Sequence, residues 1–260
     1  MKLNGLFQEH RSTGFWNYIK SHRRLNTHSL LSTADFTGQY SKTMADDGIL
    51  TESQERIKST VEDYRNRNAE VKSNDLISHQ AVRTLVANLK HGSCPGHDGI
   101  SAEHLRFGES DAFYRRLAVL YTAIIQHCVV PENFTIGLII PVLKKATLNP
   151  NSTDSYRPIT LTTTHAKIVE MHLGPEDKAC EHQYGFRKDR GTYLPGSIIN
   201  DTLQYYKTTQ TPLFICSLDA EKYFDRIWQH GLFSKLKDIL PAPVWILCYR
   251  WYTALKACVK

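Results

Sequence analysis

The sequence predicts a mixed α/β (α+β) domain, on three observations. The stretch "DAFYRRLAVLYTAIIQHC" (111–128) repeats apolar residues at three- and four-residue spacing, the mark of an amphipathic helix. Short apolar runs, "FTIGLIIPVLKK" (134–145) and "LFICSLD" (213–219), have strand length and strand composition. Helical and strand-like segments alternate irregularly, which favours a sheet with helices over a helix bundle.

Taken in order, residues 1–70 carry the weakest pattern. "FWNYIKSHRRLNTHS" (15–29) mixes aromatic and basic residues, and "STADFTGQYSKTMADDG" (32–48) reads as loop. Thr51 opens a helix, with Gln54 three residues on as a capping box and Ile57, Val61 and Tyr64 as a thin apolar stripe. "DLISHQAVRTLVANLKHG" (75–92) sets Leu76, Ile77, Val82, Leu85, Val86 and Leu89 at helical spacing, with Gly92 as the stop. "SCPGHDGI" (93–100) is turn-rich, and Ser101 caps a short helix ending near Gly108. The 111–128 helix stops before Pro131, and the 134–145 run is a buried strand ending in two lysines. "NPNSTDSYRPITL" (149–161) reads as loop, and 165–173 as helix or turn. "QYGFRKDRGT" (183–192) is loop, 197–207 helix, 213–219 strand and 227–240 helix. Pro241 and Pro243 precede a last aromatic-rich helix over 244–257.

Composition excludes several classes. With 41% hydrophobic and 22% charged residues, the 260-residue chain can bury a core and is not a disordered polymer. The longest apolar stretch, "IGLIIPVL" (136–143), is too short to span a bilayer, so no membrane partner is expected. The N-terminus lacks a secretory h-region, and six scattered cysteines without a CxxC pair suit a reducing compartment. An intracellular site, nuclear or cytoplasmic, is the expectation. His172, Cys180 and His182 lack a fourth ligand and do not read as a metal site. The net charge of +6 suits a polyanionic partner, and equally a mildly basic solvated surface.

Chemistry concentrates late in the chain. Asp219 ends an apolar run, where its carboxylate and the neighbouring backbone carbonyl suit a hard divalent cation such as Mg²⁺. Alone, Asp219 serves equally as a helix cap, and Asp225 as a surface partner of Arg226 or Lys222. Lys144 and Lys145 follow a strand, and Arg157 sits before a proline that fixes the local backbone. An arginine there can grip a triphosphate bidentately while a lysine supplies a point charge. Each of these cations also fits an ordinary solvated or ion-paired position. Arg187, Lys188 and Arg190 beside Tyr184 and Phe186 suit a nucleic-acid strand, or a basic turn with core aromatics.

Five blocks occur in order: "PGHDGISAEHLRFG", "IIPVLKK", "DSYRPITLTTTHAKIVE", "QYGFRKDRGT" and "SLDAEKYFDRIWQHGLFSKL". The series strongly resembles the reverse transcriptase of non-LTR (LINE-like) retrotransposons, from about residue 75 onwards. The resemblance implies a partial fingers–palm, right-hand polymerase fold. Residues 1–74 would be an extension leading into the domain, 75–195 a fingers-like region and 196–260 part of the palm. It also implies an RNA-directed DNA polymerase that takes an RNA template, a DNA primer and dNTP. By resemblance Asp219 is the first catalytic carboxylate, and the main-chain carbonyl of Ala220 a second metal ligand. Phe224 matches the aromatic gate against a ribose 2′ hydroxyl, and Asp225 the trailing aspartate with a structural role. Lys144 or Lys145 and Arg157 match the residues that hold the incoming triphosphate. Gln183, Gly185, Phe186, Arg187 and Arg190 fall in the loop near template–primer and nucleotide, and Pro95, Asp98 and Gly99 in the "PGxDGI" turn.

The sequence also departs from the family. Tyr223 stands where a small residue is usual, and the spacer from Glu170 to Gln183 is short. A "YADD"-type block with two further catalytic aspartates is expected after Lys260, and an upstream endonuclease domain is not expected. The consecutive aspartates of this chain, Asp46 and Asp47, sit in "TMADDGIL" and are not that block. Two metal ions need several carboxylates, so weak Mg²⁺ binding and no polymerase activity are the expectation. The other readings are a non-catalytic nucleic-acid-binding module and an exapted interaction protein with an exposed aromatic tail over 244–257.

Overall fold

A computed structural model describes residues 30–45, 48, 50–108, 110–145, 147–174, 182–187, 190–220 and 222–260. The 15–29 stretch, Asp46, Asp47, Cys180 and Lys188 lie outside the described residues. The architecture is mixed α and β. The elements are α1 (Thr33–Met44), α2 (Glu52–Arg67), α3 (His79–Asn88), α4 (Ala102–Phe107), α5 (Asp111–Gln126), β1 (Ile136–Leu143) and β2 (Tyr156–Leu161). They continue with α6 (Thr164–Leu173), α7 (Tyr193–Thr208), α8 (Gln229–Leu236), α9 (Ala242–Ala254) and β3 (Lys256–Val259).

The core forms around α5. Its buried residues Tyr114, Leu117, Ala118, Tyr121, Ile124 and Ile125 follow the helical repeat, and Ser110 caps its start by accepting the Phe113 N–H. Val82 and Val86 of α3, Ile168 and Val169 of α6 and Trp245 and Ile246 of α9 join the same core. Each such side chain contributes roughly 1.5–3 kcal/mol on burial. Arg250 ties the layers together: its guanidinium donates to the carbonyls of Cys128 (2.9 Å) and Ala69 (2.7 Å). The α2 capping box forms between Thr51 and Gln54, and Val61 alone of that helix is fully buried.

Five segments differ from the sequence expectation. Residues 33–44 are helical, not loop: Ser32 and Asp35 make a capping box, and Phe36 and Tyr40, one turn apart, bury against Ile139. The 75–92 helix starts only at His79 behind the Ser78 cap and ends at Asn88, which leaves Leu76 exposed. Residues 156–161 are strand β2, antiparallel to β1. Pro158, which has no N–H to give a ladder, faces Pro141. The Lys144 N–H bonds the Ser155 carbonyl, so by alternation the proline pair is a non-hydrogen-bonded one and loses no ladder bond between these two strands.

The fourth difference is at the end of the chain. Helix α9 stops at Ala254, and residues 256–259 pair in parallel with β1, giving the order β2-β1-β3. The Lys256 N–H bonds the Thr135 carbonyl and the Lys260 N–H that of Ile139, a ladder no local pattern announces. The aromatic tail is therefore core and not an exposed face: Trp245, Tyr249 and Trp251 are buried. Strand β1 is half-buried rather than buried throughout.

In the fifth, residues 213–219, expected as a strand, lie in a segment (211–220) that is extended but belongs to no ladder among the described residues, and Phe214 and Leu218 are exposed. Both flanks of β1 are already taken by β2 and β3, and a strand without a partner is not a strand.

The "PGxDGI" turn docks on the β2–α6 junction. Gly99 has φ +70°, the Asp98 carboxylate accepts the Ile100 N–H at 3.1 Å, and Thr164 donates to the Ile100 carbonyl. A Cβ at Gly96 would lie 2.9 Å from the backbone of Thr162 and Thr163. Gly96→Ala is thus expected to destabilise the fold by about 1–3 kcal/mol in urea unfolding, since backbone cannot yield as a side chain does.

Candidate functional site

A cavity of about 730 Å³ opens between α1, the β1–β2 end of the sheet and the turn after residue 219. Its walls come from separate stretches of chain. Lys144 arrives at the end of β1 and Arg157 on the edge strand β2. Asp219 and Ala220 close the extended 211–220 segment. A 3₁₀ turn, Tyr223–Arg226, adds Phe224 and Asp225. From α1 come Gln39, Tyr40, Thr43 and Met44.

The polar wall is wired together at Asp154, in the 3₁₀ turn Thr153–Ser155 that precedes β2. Lys144 Nζ donates to its backbone carbonyl at 2.6 Å, and Gln39 Nε2 donates to its carboxylate Oδ1 at 2.9 Å. Lys222 Nζ lies 3.6 Å from the same Oδ1, so Lys222 turns to Asp154 and not to Asp225. Tyr40 is 6% exposed, and its hydroxyl has no hydrogen-bond partner among the described residues. Burial, with the Asp225 carboxylate as a second cause, pushes this phenol up, so it stays protonated.

The structure therefore brings together Lys144, Arg157, Asp219, Ala220, Phe224 and Asp225. Lys145 is exposed and stands outside the wall, which separates the two lysines. Phe186 brings the 183–190 loop to the site: 93% exposed, it sets its ring edge-on to Phe224 at 5.7 Å. Within the same loop Gln183 donates to the Gly185 carbonyl and the Arg190 guanidinium lies 5.8 Å from the Tyr184 ring centroid. Pro95, Asp98 and Gly99 do not line the cavity; their turn supports it from the far end of β2. His172 pairs with Asp75 at 3.1 Å.

Sequence reasoning missed Gln39, Tyr40, Asp154 and Lys222. The "STAD" box that opens α1, with Phe36 and Tyr40 at i and i+4, was the signal that could have found the first two.

Asp219 and the Ala220 carbonyl are the oxygen donors a hard cation takes. Among the described residues, however, no three His, Cys, Asp or Glu side chains converge as a ligand set. The described residues by themselves do not fit a two-metal centre, and no reaction step is derived through one.

Residues 142–257 match the family model described as reverse transcriptase (RNA-dependent DNA polymerase). The chain is similar to the RNA-directed DNA polymerase from mobile element jockey of Drosophila melanogaster, 25% identical over 180 residues. That alignment covers 66% of this chain and 19% of the relative. It is also similar to two further proteins of Drosophila melanogaster. The probable RNA-directed DNA polymerase from transposon X-element is 28% identical, covering 62% of this chain and 18% of the relative. That from transposon BS is 30% identical, covering 49% and 15%. The chain thus spans less than a fifth of the length of these relatives. Helix α1, which walls the cavity, precedes the matched residues. Residues 142–257, together with the five ordered blocks, three of which meet at the cavity, thus resemble part of a reverse transcriptase domain of the non-LTR, LINE-like kind.

Proposed function

We propose that the cavity is the nucleotide-binding surface of an RNA-directed DNA polymerase. Lys144 and Arg157 would face the phosphates of a dNTP, Phe224 its sugar, and Asp219 with the Ala220 carbonyl would supply part of a Mg²⁺ ligand set. The observation that carries this reading is the convergence of Lys144, Arg157, Asp219 and Phe224 on one cavity from three separate stretches of chain. On this reading residues 75–195 act as fingers and 196–260 as part of the palm, with 1–74 leading in. The two parts share one hydrophobic core, so the division is of roles and not of folding units.

Equilibrium binding of dATP tests it. Charge-assisted hydrogen bonds contribute roughly 1.5–3 kcal/mol, so Arg157→Ala is expected to weaken dATP binding by tenfold or more. Unchanged affinity in both Arg157→Ala and Lys144→Ala would refute the assignment.

The ledge formed by Phe186 and Phe224 suits the template strand, because an exposed ring offers a stacking face to any base. Phe186→Ala is expected to weaken binding of a single-stranded RNA by about 1–3 kcal/mol, roughly fivefold to a hundredfold, while the salt slope of binding stays the same. Binding that ignores salt altogether would point to a protein partner instead.

A further inference from the structure

Two lysines address Asp154 at the cavity, one at its carboxylate and one at its backbone carbonyl. Lys222 reaches its Oδ1 at 3.6 Å and Lys144 its carbonyl at 2.6 Å. The Gln39 amide, donating to the same Oδ1 from α1, fixes where that charge sits. The ion pair is lopsided: the Asp154 side chain is 70% exposed and that of Lys222 only 28%. A pair of this kind is held weakly and exchanges readily for a better anion. Lys222 also has φ +51°, in the left-handed region that a residue with a Cβ seldom enters. Such strain persists where surroundings impose it, and here it stands beside Phe224 and Asp225 on the cavity wall. The three lysine and glutamine contacts occupy the place where a phosphate group would find its donors.

We propose that Asp154 is an internal stand-in for the ligand's phosphate, holding Lys222 and Lys144 at the wall and yielding Lys222 to a phosphate oxygen when a polyphosphate binds. This rests on the nucleotide reading of the cavity. Asp154 is a positioning residue and a competitor at once: it keeps the lysines in place and lowers the affinity of the site for anions. No bond is made or broken, and the exchange moves one ammonium group from carboxylate to phosphate.

The two roles are separable with Asp154→Asn, which keeps an oxygen for Gln39 and leaves the backbone carbonyl for Lys144. Binding of inorganic tripolyphosphate and of dATP to the full chain is measured at low and at physiological salt. Asp154→Asn is expected to tighten both by about three- to tenfold at low salt, and less at high salt. Lys222→Ala should cancel the gain, so the Asp154→Asn/Lys222→Ala protein binds no better than Lys222→Ala. Asp111→Asn, on α5, makes the same change in net charge away from the cavity and should leave affinity unchanged.

Weaker or equal binding by Asp154→Asn overturns the inference, as does a gain that survives Lys222→Ala or is matched by Asp111→Asn. If the wild type binds dATP and Arg157→Ala weakens it, the nucleotide reading stands whatever Asp154 does. If the wild type binds neither ligand, both fall.

Discussion

Replacing Trp245 with alanine is expected to cost about 3–5 kcal/mol of stability, the usual range for a large aromatic removed from a packed interior. Trp245 is fully buried on α9, stacks on Tyr249 at 5.1 Å between centroids, and meets Tyr64 of α2 edge-on at 4.8 Å. Its indole N–H donates to the Phe233 carbonyl of α8 at 2.9 Å, so truncation opens a cavity and removes one of the two hydrogen bonds that this carbonyl accepts, the other coming from the Lys237 N–H. The loss travels, because α9 delivers β3 to the sheet. Urea unfolding followed by circular dichroism gives the number. Trp245→Phe should recover part of it, and a loss under about 1 kcal/mol for alanine would mean that α9 is not the core element described.

The second large effect is an all-or-none one. A polypeptide of these 260 residues is expected to extend a DNA primer on an RNA template no faster than its Asp219→Asn variant. Two divalent ions about 4 Å apart must be neutralised and held by several carboxylates. The cavity wall offers Asp154, Asp219 and Asp225, but Asp154 is already engaged by Gln39 and Lys222. Among the described residues no three such ligands gather. Labelled-primer extension with Mg²⁺ decides the matter, and incorporation well above the Asp219→Asn level would show that the carboxylates present suffice.

Much of the helical fold was legible because helices advertise themselves locally. The Thr51–Gln54 box and the 114-117-118-121 repeat of α5 need no distant partner to be read. Strands do not share that property. Pro158 disguised β2, since its fitness depends on Pro141 standing opposite, and β3 exists only because β1 lies alongside. The reverse error has the same root: 213–219 has strand composition and no ladder. The site followed this division. Lys144, Arg157, Asp219 and Phe224 stood in recognisable blocks, and the cavity unites them. Gln39 and Tyr40 enter it through the docking of α1 on Ile139 and Tyr156, contacts that no spacing in the sequence encodes.

The distribution of the cavity's walls along the chain has a consequence for how the molecule acquires it. Its residues run from Gln39 to Asp225, and the sheet beneath it closes only when Lys256 pairs with Ile136. Contacts so far apart in sequence cost loop-closure entropy before they return anything, so they form late. The helices around α5 can assemble first, while ligand-binding competence waits for α1 and β3 to reach β1 from opposite ends of the chain. In refolding, recovery of dATP binding should therefore lag behind recovery of helical signal. Amides of α1 should likewise exchange with solvent sooner than those of α5, making nucleotide affinity a sensor of the last step of folding rather than of the bulk of it.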